Sequence, residues 1–196
     1  MPVLMIVIAS TRPGRAGLPI GQWFEQRARA HGAFDVDFAD LLEIGLPFVD
    51  EPNHPRLRQY TQPHTLAWSD RVDQADAFAF VAPEYNHGLA APLKNAMDFL
   101  HEEWRHKPVG FVSYGGVSAG TRAVQMAVPV VTVLGMVPVV EAVSIPFFPQ
   151  FIGEDGGVEA NEIMEAAATG MLDALAATAA ALRPLRLGLH AGSEAG

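Results

Sequence analysis

The sequence predicts an α/β protein built as a doubly wound, five-stranded parallel sheet in three layers. Two observations predict it. Apolar runs at residues 3–9, 77–82 and 108–113 are continuous rather than alternating, the pattern of strands covered on both faces. Segments with apolar residues three or four positions apart separate these runs, so strands and helices alternate along the chain.

Each element follows in order. After the first strand, Pro19 opens a helix that carries Ile20, Trp23, Phe24 and Arg27 at helical spacing and stops near Gly32. Phe34, Val36 and Phe38 then alternate with Asp35, Asp37 and Asp40, which predicts a strand nearer a sheet edge with one wetter face. Residues 41–64 are proline-rich and predict an irregular excursion. A helix over 65–74 leads into the strand at 77–82, a short helix over 92–100 follows, and the strand at 108–113 ends in Tyr114-Gly115-Gly116. The next helix, 119–134, contains Pro129, where a bend or break is expected. Residues 137–143 form the last strand. Asn161 caps a final alanine-rich helix reaching Leu182, which gives a single domain over 1–184 and a flexible tail over 185–196.

Composition narrows the function. The 196 residues are 49% hydrophobic and 18% charged, a balance that suits a buried core and excludes disorder. A net charge of −9 disfavours nucleic acid and anionic membranes as partners, and any phosphate must be held by local groups against that field. With no cysteine there is no disulfide, thiolate catalysis or Cys-ligated metal. The first apolar run is too short for a bilayer and has no basic segment before it, so a cytoplasmic protein is expected. The seven histidines show no metal-binding spacing, and no serine sits in a nucleophile elbow.

In doubly wound sheets ligands bind at the carboxyl ends of the strands. Three loops there carry chemistry. Ser10-Thr11-Arg12-Pro13-Gly14-Arg15-Ala16-Gly17 runs into a helix start, where free N–H groups suit a phosphate; Ser10 and Thr11 add hydroxyls, Arg12 and Arg15 add charge, and Gly14 and Gly17 permit close approach. The residues alone are equally compatible with an ordinary solvated turn. Pro83-Glu84-Tyr85-Asn86-His87-Gly88 offers a flat wall and edge hydrogen bonds for a planar ring, or a simple turn into the next helix. Ser113-Tyr114-Gly115-Gly116 again joins hydroxyls, an aromatic ring and paired glycines. Convergence of all three on one sheet edge is a stronger signal than any single loop.

Residues 8–15, 83–88, 91–98 and 113–116 together resemble the NADPH-dependent FMN reductase family, with the Pro83-Glu84-Tyr85-Asn86 block and the following Leu93-Lys94-Asn95-Ala96 as the most specific part. The resemblance spans residues 3–143. It implies a flavodoxin-like fold with strand order 2-1-3-4-5, FMN as cofactor, NADPH or NADH as hydride donor, and a homodimer or homotetramer. It places Ser10, Arg12 and Arg15, with Thr11, at the FMN phosphate. Pro83, Glu84, Tyr85 and Asn86 would line the isoalloxazine and ribityl, and Ser113, Tyr114, Gly115 and Gly116 would close the other side. Ala9 replaces the glycine many relatives have at the opening turn.

The expected activity is hydride transfer from NAD(P)H to flavin N5 and on to a small-molecule acceptor, a quinone foremost, with no dedicated catalytic side chain. Two alternatives stand beside it: a flavodoxin-like electron carrier without NAD(P)H activity, and a flavin-free ligand-binding domain. Lys94 and Asp98 read as a surface or interface pair, Trp68 and Trp104 as core or interface residues, and Arg122 as a solvated helix residue or a contact for the NADP phosphate. The helix over 92–100 with Trp104 is the expected subunit contact, and His87 is assigned no role.

Overall fold

The computed structural model describes residues 1–193. Its core is set by strands with no polar side. β1 (Val3–Ile8) pairs in parallel with β2 (Asp35–Asp40) and with β3 (Ala77–Tyr85), and β3 pairs in parallel with β5 (Pro108–Tyr114). The interior strands are buried along almost their whole length, whereas β2, at the edge, is only half-buried at Val36, Asp37 and Phe38.

Successive strand residues point to opposite faces, so each face needs its own cover. Met5, Val7, Phe78, Phe80, Val109 and Phe111 pack beneath α3 (Pro63–Gln74), α4 (Ala91–Asp98) and α5 (Thr121–Val133). Leu4, Ile6, Ile8, Ala79, Val81 and Val112 pack beneath α1 (Gly17–His31) and α6 (Glu162–Ser193). These are the expected three layers. The excursion expected over 41–64 ends where α3 begins at Pro63, and before that holds only the four-residue α2 (Leu41–Ile44) and a single 3₁₀ turn at Pro55–Leu57.

Four details differ from expectation, each for a local reason. A two-residue strand, β4 (Gly88–Leu89), folds back antiparallel on the end of β3. The last strand is broken into β6 (Val137–Pro138) and β7 (Val143–Ile145), both parallel to β5. Pro138 has no N–H to donate, and after the Val139 N–H bonds to the Val109 carbonyl at 2.9 Å the chain leaves the sheet, with Val140 94% exposed. With β4 set aside and β6 and β7 taken as one interrupted strand, the order is the expected 2-1-3-4-5.

α5 begins two residues late, because Ala119 and Gly120 both sit at positive φ, and it passes Pro129 without a break. The missing proline N–H there frees only the carbonyl of Gln125, an exposed residue that water can serve. α6 starts where Asn161 accepts from the Met164 N–H at 2.9 Å, as expected, but it continues past Leu182 and through Pro184. The loose tail expected from 185 is therefore helical to Ser193, and residues 194–196 lie outside the described residues. Arg186 ties that extension down, with Nη1 on the Asp76 carbonyl and Nη2 on its carboxylate, both at 2.7 Å.

Trp68 and Trp104 are core residues, their indole N–H groups donating to the carbonyls of Ala96 and Met97 at 3.0 and 3.2 Å. Trp104 is thus spent inside its own protomer rather than on a subunit contact. Lys94 and Asp98 form an exposed i,i+4 ion pair.

At the opposite end of the sheet from the loops described below, Lys107 is 5% exposed and donates to the Val72 and Asp73 carbonyls at 2.8 and 3.0 Å, closing the end of α3. Burial pushes its ammonium from 10.5 down to about 8; Asp73, Asp76 and Glu103 oppose this and Arg186 adds to it. A group with a depressed folded pKa leaves the unfolded chain holding more protons between the two values, so stability from this site rises with pH above about 8. Urea unfolding should show that rise between about pH 8 and 9.5 in the natural chain and a flatter profile in Lys107→Met.

Candidate functional site

The sheet register brings the three loops together. Ile8 pairs with Val81, Ser113 with Ala82 and Tyr114 with Pro83, and the Ala9 N–H still bonds to the Val81 carbonyl at 3.0 Å. β1, β3 and β5 therefore end at one level, side by side. A Cβ added at Gly17 would lie 2.1 Å from Ser10 Oγ and 2.6 Å from the Tyr114 hydroxyl. Only a glycine there leaves room for the first and third loops to meet across β3.

The first loop turns through Arg12-Pro13-Gly14-Arg15, closed by the Arg15 N–H on the Arg12 carbonyl at 3.1 Å, with Gly14 at φ +69°. Proline followed by a positive-φ glycine is the composition of a type II turn. The turn delivers the chain to α1, whose start has no side-chain cap and no acidic residue in its first turn. Ser10 is fully buried and its Oγ has no hydrogen-bond partner. Thr11 is half-buried and Arg12 is exposed, its guanidinium in no ion pair among the described residues.

Arg15 behaves differently. Its guanidinium turns inward, bonding to the Ser10 carbonyl at 2.6 Å and to both carboxylate oxygens of Asp40 at 2.5 Å, and the two side chains are only 8% and 3% exposed. Asp40 ends β2 and also caps α2 through the Leu42 N–H at 3.0 Å. Of the two arginines in the loop, Arg15 is a strut between β1 and β2, and Arg12 is the free cation.

The second loop is a hairpin. Glu84 faces Leu89 and Tyr85 faces Gly88, leaving Asn86 and His87 as its two turn residues at φ +50° and +65°. Two positive-φ residues are what a type I′ turn demands; asparagine tolerates this, and histidine less well. Pro83 is buried, while Tyr85 is 43% exposed and Asn86 is exposed.

The Glu84 side chain turns away from the loop mouth. Arg122 Nε donates to it at 2.6 Å, the Ser118 hydroxyl at 3.1 Å and the Arg122 backbone N–H at 3.2 Å. Burial would raise this carboxyl, but Arg122 and Ser118 outweigh it and hold it below the ordinary carboxylate range. Arg122 is thus an ion-pair partner that ties the hairpin to the start of α5. Sequence gives no signal for that pairing, nor for Asp40 with Arg15, because the partners are 38 and 25 residues apart.

In the third loop Ser113 is buried with its Oγ unpartnered. Tyr114 is 4% exposed, packs edge-on against Phe148 at 5.3 Å, and burial pushes its hydroxyl up to about 12, so it stays a neutral donor. Gly115 and Gly116 accept from the Phe148 and Phe147 N–H groups at 3.3 and 3.1 Å, which fastens the loop to the chain after β7. Gly120, at φ +79°, lies where a Cβ would sit 2.9 Å from the Tyr114 backbone.

Beside Thr11 lies an apolar cavity of about 410 Å³, walled by Leu41, Leu46, Phe48, Pro92 and Asn95 among others. Asn95 fixes the wall through the Pro47 carbonyl at 2.7 Å and the Val49 N–H at 3.3 Å. Among the described residues no cluster of His, Asp and Glu could hold a metal, and no helix is long and apolar enough to cross a membrane.

Buried hydroxyls without partners and an uncapped helix start fit a phosphate monoester; an exposed tyrosine on a hairpin fits a planar ring. Comparisons with known proteins concern the chain as a whole. An NAD(P)H-dependent FMN reductase of Schizosaccharomyces pombe is 39% identical over 127 residues, a match covering 64% of each chain and so a little under two thirds of that relative. A probable NADPH:quinone oxidoreductase of rice is 45% identical over 64 residues, 31% of this chain and 32% of that one. The flavoenzyme NAD(P)H:(acceptor) oxidoreductase FerB of Paracoccus denitrificans superposes with a TM-score of 0.73 at 21% identity, covering 91% of this chain and 97% of its own, which shows a shared flavodoxin-like fold. The model of the NADPH-dependent FMN reductase family matches residues 1–150, and the chain belongs to that family.

Proposed function

We propose that this chain is an NAD(P)H-dependent oxidoreductase that works through bound FMN and reduces quinones or similar small acceptors. The observation that carries the proposal is the meeting of three loops at one sheet edge, with Ser10 Oγ buried, unpartnered and beside the Gly17 cradle.

In this reading the amides of the 10–17 loop, Ser10 Oγ and the Thr11 hydroxyl hold the FMN phosphate, and Arg12 supplies the charge that a protein of net charge −9 otherwise lacks. Arg15 acts one step removed, setting the loop by holding the Ser10 carbonyl. Pro83, Glu84, Tyr85 and Asn86 flank the ring through their backbone and the Tyr85 ring. Ser113, Tyr114, Gly115 and Gly116 close the other side, where the neutral Tyr114 hydroxyl donates without adding charge. When bound, FMN would supply the two-electron redox chemistry between NAD(P)H and the acceptor. The protein positions and shields it, so no side chain need gain or lose a proton. The apolar cavity beside Thr11 suits a small ring-shaped acceptor such as a quinone. We read the assembly as a homodimer or homotetramer working in the cytoplasm; the exposed apolar side chains of Phe48, Val117 and Val133 support association.

Three outcomes follow. Protein supplied with FMN should show flavin absorbance that bleaches within seconds of anaerobic NADPH addition. Bound flavin that does not bleach would make this an electron carrier, and no bound flavin would remove the function. Arg12→Ala should weaken FMN binding, measured by fluorescence titration, by roughly 1.5–3 kcal/mol, the worth of a charge-assisted hydrogen bond. Gly17→Ala must displace Ser10 Oγ and the Tyr114 hydroxyl, and should cost FMN binding about 1–3 kcal/mol, the penalty of leaving a buried polar group unmet.

A further inference from the structure

Arg122 and Met126 stand four residues apart on α5, so both side chains leave the same face of the helix. That face meets the β3–β4 hairpin. Arg122 holds Glu84 on one strand of the pairing, and Met126 Sδ accepts at 3.4 Å from the N–H of Leu89, which faces Glu84 on the other strand. A Cβ on Gly88 would lie 3.5 Å from the same sulfur, so the thioether borders the hairpin at van der Waals distance. Between the two holds lies the turn with Asn86 and His87 at positive φ, a strained pair of residues that persists because its surroundings fix it.

Met126 is also accessible. It is 56% exposed, whereas Met5, Met97, Met136, Met164 and Met171 are at most 4% exposed. Met1, at the chain terminus, is exposed and touches none of the three loops. A thioether is oxidised to sulfoxide according to access, and the product is polar, bulkier and enzymatically reversible. Here the sulfoxide oxygen is a stronger acceptor for the Leu89 N–H than the sulfur it is added to, and taking over that bond forces sulfur and hairpin apart. A hydrogen bond from the Leu89 N–H to that oxygen needs about 2.9 Å by itself, nearly the whole of the present gap to sulfur.

We propose that Met126 is an oxidation-sensitive latch on the hairpin that flanks the cofactor site, with hydrogen peroxide as the oxidant. The sulfur lone pair attacks one peroxide oxygen, an S–O bond forms as the O–O bond breaks, and the departing hydroxide takes the proton from the newly sulfur-bound hydroxyl, leaving sulfoxide and water. Sulfur loses two electrons and peroxide gains them. The oxidised side chain pushes Gly88 and Leu89 outward, the Asn86–His87 turn relaxes, and the second loop no longer presents a fixed wall. The effect on the flavin rests on the function proposed above; the latch itself does not.

The test treats the flavin-free protein with dilute hydrogen peroxide and follows three quantities: peptide mass spectrometry at each methionine, hydrogen exchange at the Leu89 amide, and FMN affinity. Met126 should gain one oxygen well before the five buried methionines, Leu89 exchange should accelerate, and FMN binding should weaken by about tenfold, the equivalent of releasing one strained turn residue. Methionine sulfoxide reductase should reverse all three. In Met126→Leu, peroxide should leave Leu89 exchange and FMN affinity as they were before treatment. Oxidation of Met126 no faster than of Met136 or Met164, or equal peroxide damage to the natural chain and M126L, would overturn the proposal. A protein that never binds FMN fails the spectral test, while mass and exchange still decide this one.

Discussion

The site depends on three parallel strands ending at the same height. β1, β3 and β5 are buried on both faces, so their register cannot slip by one residue without exchanging the two sides of the core. That register is continued one residue further by the Ala9 N–H on the Val81 carbonyl. It leaves Ser10, Pro83 and Tyr114 as neighbours although they come from positions far apart in the chain. The polar groups of the site are added to this edge, which the strand register sets.

Most of the charge added there serves architecture. Arg15 and Arg122 both look like ligand groups when only the loops are considered. Each is instead matched to a buried carboxylate, Asp40 or Glu84, whose side chain is 3% or 6% exposed. Removing one partner of such a pair strands the other charge in a poorly solvated place, which is far more costly than the pair is worth in isolation. The pairs therefore fix loop geometry: one ties the 10–17 loop to β2, the other ties the hairpin to α5. Arg12, left outside both, is the remaining cation at the edge.

The parts of this arrangement that were legible in the sequence are those written in local patterns. Continuous apolar runs marked β1, β3 and β5, the aspartate alternation marked β2 as the edge, and Asn161 marked the start of α6. The loops at the strand ends, and the glycine at Gly17, could be named from the same patterns. Illegible were features decided by distant partners. Pro184 reads as a helix stop until Arg186 finds Asp76, 110 residues away. Pro129 reads as a break until the freed carbonyl proves to lie on an exposed turn. The β6–β7 interruption had its cue in Pro138, whose missing donor is visible in the sequence and whose consequence appears only against β5. The inward turn of Arg15 and Glu84 had no cue at all, since spacing in sequence carries no information about a partner on another strand or helix.

The hairpin shows why the specific sequence block and the strained geometry coincide. A two-residue turn demands positive φ twice, and glycine or asparagine would satisfy both positions most cheaply. Here the second position is His87, so the turn is held by its surroundings as well as by its residues. Those surroundings are a single helix face one turn long, offering a salt bridge at Arg122 and a sulfur contact at Met126. α5 can offer both because Gly120, at a φ reserved for glycine and pressed against the Tyr114 backbone, fixes where the helix begins. The third loop thus orients the second through α5, while Gly17 lets the first touch the third. The three loops are joined by direct contacts, the first to the third at Gly17 and the third to the second through the start of α5.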